Sequence, residues 1–378
     1  MKKYFIFAVA AMTAMAACTK VDIDENLVPD QKISFEVANY SVQTKAGDDG
    51  GLINEGYTTF NTYAWYYPTE GNTQTYMNNV AVNYQTVGQT HFWAPADDYF
   101  WPTTGYINFF SYAGTGTPAY SDNGLTVTYS NKTIEGTDNY LLADAAFRYN
   151  SNIASASPYG KDGVTEGVPT MFRHLLSRVN FTVKLATSAD KVSSNTTWVV
   201  EILNTQAKPS NFVVKKTGSL VMKVADPNEK KTVQYAPEAN SDYATDYRWV
   251  AATTGENLTE TIDLADQTLT LPVSTQEIDA TSLLAERTVM PQLTSGVNFT
   301  LNYKVTAKHG NDVFMEEYVT VEKTIAELAS AALASWNMNK KITYNVIIDP
   351  VTSKVKFDPA VESWANEEAR SINLPVTE

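Results

Sequence analysis

The chain is poor in the residues on which most catalytic and nucleic-acid chemistry depends. Its 378 residues include one cysteine, Cys18, which excludes an internal disulfide and a cysteine-rich metal cage. It has three histidines, His91, His174 and His309, and no HExxH, Walker A or GxSxG run accompanies them. Basic residues are scarce: 28 Lys and Arg face 42 Asp and Glu, for a net charge of −14. That balance disfavours nucleic acid and anionic membrane surfaces, which bind clustered cations. Past the N-terminal segment no run approaches the roughly 18 apolar residues that span a bilayer. Tandem repeats are also missing.

What is present begins at the N-terminus. Lys2 and Lys3 precede a short apolar run, Tyr4 to Ala14, and then Met15-Ala16-Ala17-Cys18. A positive start, an apolar middle and small residues before a Cys predict a lipoprotein signal peptide over 1–17. Cys18 would carry the lipid and anchor the chain in the outer membrane. Loss of residues 1–17 removes two lysines, so 26 Lys and Arg face 42 Asp and Glu and the net charge becomes −16. Residues 18–31 read as a polar tether.

The body reads as strands. Aromatics make up 12% of the chain, 22 of them Tyr, and such side chains suit a pleated, half-buried surface. Ile33, Phe35 and Val37 alternate with Ser34 and Glu36, which predicts a first strand over 32–42. A Gly- and Asp-rich loop with one cation, Thr44 to Gly51, follows it, so Lys45-Ala46 is a candidate protease site. Further strands are predicted at Phe60–Tyr67, Tyr106–Ala113, Leu125–Tyr129, Arg178–Leu185, Trp198–Leu203, Phe212–Val214 and Leu269–Val273. Phe299 to Val305 and Val313 to Val321 form a hairpin through His309-Gly310-Asn311-Asp312. Ile342–Ile348 and Val355–Phe357 form another. Ile325, Leu328, Ala332 and Leu333 have helical spacing, so one short helix is expected within 324–336. The expected fold is all-β: two β-sandwich domains with one or two short helices, an N-terminal one over 32–168 and a C-terminal one over 169–366. Residues 367–378 form a tail in which Ile372, Leu374 and Val376 share one face, the pattern of a strand that could fill a groove.

Several segments together resemble the fimbrillins of Bacteroidetes-type pili, in particular the minor-fimbrillin-like branch. They are the segment ending in Cys18; Phe172-Arg173-His174-Leu175-Leu176-Ser177-Arg178-Val179 at the join of the halves; Leu203-Asn204 to Phe212 with Thr217-Gly218; and Trp336, Ile342 to Val346 and Phe357 to Trp364. The resemblance implies transthyretin-like sandwiches. It also implies a life history: export as a surface lipoprotein, proteolytic removal of the first strand, and refilling of the open groove by a strand of the next subunit. Mapped onto this sequence, Lys45-Ala46 is the cut, Ile33, Phe35 and Val37 are the removed groove filling, and Ile372, Leu374 and Val376 are the donor. Its partners would be other pilin subunits and a host or bacterial surface ligand.

An enzyme is not indicated, because Cys18 is assigned to lipid and no Ser–His or paired-carboxylate arrangement is singled out. His174 reads as a structural hydrogen-bonding residue at a domain junction. No feature points to a cofactor or a metal; Asp48-Asp49-Gly50 and Asp122-Asn123-Gly124 read as turns. The alternative is a glycan-binding surface lipoprotein, with Trp65, Trp93 and Trp101 and Tyr66, Tyr67 and Tyr99 as its sugar platform.

Overall fold

The computed structural model describes residues 27–38, 52–53, 55–69, 71–88, 90–150, 167–205, 207–223, 249–328 and 334–363. In its first half the strands are β1 (Leu27–Lys32), β2 (Phe35–Ala38), β3 (Thr59–Thr69), β4 (Asn72–Val87), β5 (Thr90–Pro95) and β6 (Phe100–Pro102). They continue as β7 (Tyr106–Gly114), β8 (Ala119–Ser121), β9 (Thr126–Thr133), β10 (Tyr140–Ala143), β11 (Ala146–Tyr149) and β12 (Val168–His174). The second half has β13 (Ser177–Leu185), β14 (Thr197–Ile202), β15 (Asn211–Lys215), β16 (Thr217–Lys223), β17 (Trp249–Ala251), β18 (Thr259–Asp263) and β19 (Gln267–Leu271). After them come β20 (Thr281–Val289), β21 (Gln292–Leu293), β22 (Asn298–His309), β23 (Asp312–Thr324), β24 (Ser335–Trp336), β25 (Lys340–Asp349) and β26 (Lys354–Ser363). The chain is therefore all-β, as its composition predicts.

The C-terminal sandwich is two facing sheets. One runs β20-β13-β25-β26; the other runs β18-β15-β22-β14-β19, with β23 on the outer side of β22. Alternation drives the packing. Val179, Phe181, Val183 and Leu185 of β13 and Ile342, Tyr344, Val346 and Ile348 of β25 turn inward. They meet Phe212, Phe299, Leu301, Tyr303 and Val305 from the opposite sheet. Phe181 is the hub, with ring centroids 5.1 Å from Phe212, 5.6 Å from Phe299 and 4.9 Å from Tyr344. Both predicted hairpins form, β22 with β23 and β25 with β26.

The N-terminal sheet closes on itself. β3 pairs with β7 and β4, β4 with β5, β5 with β2, β2 with β12, β12 with β10, and β10 returns to β7. Closure removes free edges, the usual sites of unwanted pairing. The two halves also share structure. The sheet β17-β16-β9-β8 joins strands of both. Its core sets Tyr129, Tyr140 and Leu142 against Leu175, Leu220, Trp249 and Met290, and Trp249 Nε1 donates to the Leu175 carbonyl at 2.7 Å.

Two expectations need correction, and a third is met in part. Residues 27–31 of the expected tether form β1 together with Lys32, paired with β6, because the backbone around Pro29 and Asp30 is extended and finds an edge. The expected short helix is present at Ile325–Leu328, with residues 329–333 outside the described residues; Trp336 lies in β24, where its indole is buried and donates to the Tyr344 hydroxyl at 2.8 Å. The boundary expected at 168/169 falls inside β12, which completes the N-terminal sheet; the chain passes to the second sandwich at Leu175-Leu176.

Candidate functional site

The site is the slot filled by β2. Its short sequence alternates, so Ile33, Phe35 and Val37 face inward and are 2%, 2% and 4% exposed, while Glu36 faces out. Phe35 is the anchor: its ring meets Phe60 edge-on at 5.5 Å and Phe109 edge-on at 5.6 Å. Trp93, Trp101 and Phe172 complete the surrounding core. Fully burying Ile33, just ahead of β2, together with Phe35 and Val37 contributes roughly 5–9 kcal/mol in total. That is comparable with the whole net stability of a domain, about 5–15 kcal/mol.

The backbone hold on β2 is uneven. On one side it runs parallel to β12, with Phe35, Glu36, Val37 and Ala38 opposite Val168, Pro169, Thr170 and Met171. Parallel ladders are slightly weaker per residue than antiparallel ones. Pro169 has no N–H to give to such a ladder. On the other side, among the described residues, a single residue pair, Phe35 opposite Trp93, joins β2 to β5. The Ile33 amide donates to the Tyr99 carbonyl at 2.7 Å and the Val168 amide to the Ser34 carbonyl at 2.8 Å. Lys32 pairs with Asp98 at 2.8 Å on the surface. Among the described residues β2 is thus held mainly by its side chains, and its seam with β5 is the thinnest joint in the ring.

Gly167 lets the two strands meet. Its φ is +96°, and a Cβ there would lie 2.8 Å from the Phe35 carbonyl carbon and 2.9 Å from the Glu36 nitrogen. Only glycine takes that backbone conformation without strain and leaves room for β2.

The far end of β12 carries a buried polar cluster. His174 Nε2 lies 2.8 Å from Glu55 Oε1 and its Nδ1 lies 2.7 Å from Asn139 Oδ1. Asn139 Nδ2 donates to the other Glu55 oxygen at 2.8 Å, and the His174 amide donates to Asn339 Oδ1 at 3.3 Å. Burial pushes the His174 imidazolium below its ordinary value despite the pull of Glu55. For Glu55, burial pushes the carboxyl up, but the bond from His174 and its charge hold it below the usual range. The cluster ties the segment around Glu55, downstream of Lys45, to the strand that lines the slot. Beside it Arg173 makes a two-pronged pair with Asp144 at 2.9 and 3.1 Å.

Of the residues singled out from sequence, Ile33, Phe35 and Val37 come together in this slot. Cys18, Lys45, Ala46, Ile372, Leu374 and Val376 lie outside the described residues. His91 stacks on Tyr84 at 5.5 Å and reaches the Thr86 hydroxyl at 3.0 Å. His309 lies 3.1 Å from the Thr196 hydroxyl through Nε2. Among the described residues no group of His, Cys, Asp or Glu is arranged to hold a metal ion. The aromatics considered as a sugar platform are largely core: Trp93 is fully buried, and Trp65, Trp101 and Tyr66 are 9%, 3% and 2% exposed. Sequence reasoning missed the partners of β2, because Trp93 and Val168–Met171 are far from it along the chain.

The fold is all-β, with a closed sheet in its N-terminal half and a sandwich of two sheets in its C-terminal half. No family model and no curated protein matches the chain. Among solved structures it is similar to a fimbrial protein of Bacteroides vulgatus, with 14% identity over 89% of this chain and 100% of that one, at a TM-score of 0.49. A candidate cell adhesion protein of Bacteroides uniformis has 15% identity over 89% and 99% of the two chains, at 0.41. The C-terminally truncated tip fimbrial protein Mfa3 of Porphyromonas gingivalis has 9% identity over 88% and 99%, at 0.31. Residue roles are therefore argued from this chain's own geometry.

Proposed function

We propose that the protein is a non-enzymatic pilus or adhesion subunit of the cell surface, held there as a lipoprotein through Cys18 until a cut after Lys45 frees β2. A strand of the next subunit then takes the vacated slot. The observation that carries the reading is the seating of β2. Among the described residues it is short, is held mostly through the inward side chains of Ile33, Phe35 and Val37, and meets β5 at one residue pair. It lies just upstream of the Gly- and Asp-rich loop that contains Lys45. A slot emptied of β2 exposes an apolar trough between two unpaired edges, β5 and β12, which strongly favours refilling by another extended segment.

The candidate replacement is the tail, with Ile372, Leu374 and Val376 in the places of Ile33, Phe35 and Val37. Both sets alternate and both are apolar, so exchange is close to balanced in energy and the cut gives it direction. Removing residues 371–378 is expected to abolish native polymer while leaving the monomer folded. Gel ladders of sheared surface material would check this, and an unchanged ladder would rule out the tail as donor.

A further inference from the structure

The outer edge of β23 is a second strand-pairing surface, independent of the slot. β23 is 13 residues long and pairs with β22 on one side; among the described residues nothing pairs with its other side. Protein sheets usually blunt so long an edge. Here Val319 and Val321 are only half-buried at the rim of the C-terminal core, and Tyr318 is 60% exposed.

We infer that two copies of this chain pair edge to edge through β23, antiparallel about a two-fold axis at Thr320. A two-fold pairing of identical strands sets residue i against residue j with a constant sum, and both must lie on one face of the sheet. Centred on Thr320, the core-side face sets Val319 against Val321 and Glu317 against Lys323, each twice. The outer face sets Tyr318 against Glu322 and Glu316 against Thr324. No like charges stand opposite one another. Shifting the centre to Val319 sets Glu316 against Glu322, and shifting it to Glu317 sets Asp312 against Glu322; directly opposed like charges destabilise a strand pair. Centring on Tyr318 or Val321 opposes no like charges but forms no ion pair either; only the register centred on Thr320 sets opposite charges against each other, so the charge pattern favours that register, in which it is self-complementary. The existing contacts of Glu317 are compatible with this role: one oxygen accepts from the Ser353 hydroxyl at 2.6 Å, which leaves the other for Lys323 of the second copy. On the outer face the Thr320 hydroxyl donates to Asn302 Oδ1 of β22 at 2.6 Å, away from the free edge.

The test is cysteine cross-linking of the purified full-length chain carrying Thr320→Cys, with the unsubstituted chain as control for Cys18. Opposed residues of an antiparallel pair have Cα atoms about 4.5–5.5 Å apart, within disulfide reach. Mild oxidation is expected to give a covalent dimer that the control does not give. Adding Glu317→Lys or Lys323→Glu turns both ion pairs into like-charge pairs and should lower the yield about tenfold. Adding both reversals together restores the pairs and should restore the yield. No dimer with Thr320→Cys, or single reversals without effect, would overturn the inference. Neither result depends on cleavage after Lys45 or on the tail.

Discussion

A chain lacking residues 27–38 is expected to lose its N-terminal fold while its C-terminal sandwich stays intact, and a peptide of those residues added in trans is expected to restore it. The expectation follows from the size of the β2 contribution. Roughly 5–9 kcal/mol of side-chain burial is removed from a domain whose net stability is of similar size. The ring also opens between β5 and β12, leaving backbone groups on both strands unpaired. The C-terminal core, built around Phe181, draws none of its residues from β1 or β2. Fluorescence of the N-terminal core tryptophans Trp93 and Trp101, followed while the peptide is titrated, would measure the rescue. A deleted chain that keeps full N-terminal order without peptide would show that β2 is dispensable.

Phe35→Ala should be the most damaging single change in the strand. Truncating a fully buried Phe costs about 3–5 kcal/mol, and here it also removes the edge-on contacts with Phe60 and Phe109. For a domain of this size the loss corresponds to a melting point lower by about 10–20 °C. The intact chain should show this shift in a thermal melt. Polymer assembled from chains already cut after Lys45 should not, because residue 35 has left. Equal destabilisation of both forms would mean that β2 stays in place.

How much of this was legible in the sequence depends on the range of the interaction. The alternation of Ile33, Phe35 and Val37 is local, and the strand and its buried face follow from it. The hairpins β22–β23 and β25–β26 were legible for the same reason, with turn residues between two periodic runs. The parallel pairing of β2 with β12 was not, since parallel strands need no turn and leave no signal between them. β1 was hidden because Pro29, Asp30 and Gln31 look like linker composition, and composition does not report that β6 offers an edge. The helical spacing of Ile325 and Leu328 was local and legible, and the helix Ile325–Leu328 forms there. The aromatic concentration at Trp65, Trp93 and Trp101 was visible from the start. Only the closed ring distinguishes a core from a platform, and it places Trp93 inside. His174 was read as a junction residue, but its partner Glu55 is more than a hundred residues away and no pattern marks it.

The central claim is that β2 leaves the mature protein, and the N-terminus of the native chain tests it most directly. Protein sheared from the cell surface and analysed by mass spectrometry should begin at Ala46, with no peptide from residues 27–38 in the assembled fraction. A lipidated chain beginning at Cys18 in that fraction would contradict the claim and leave β2 as a permanent part of the N-terminal sheet.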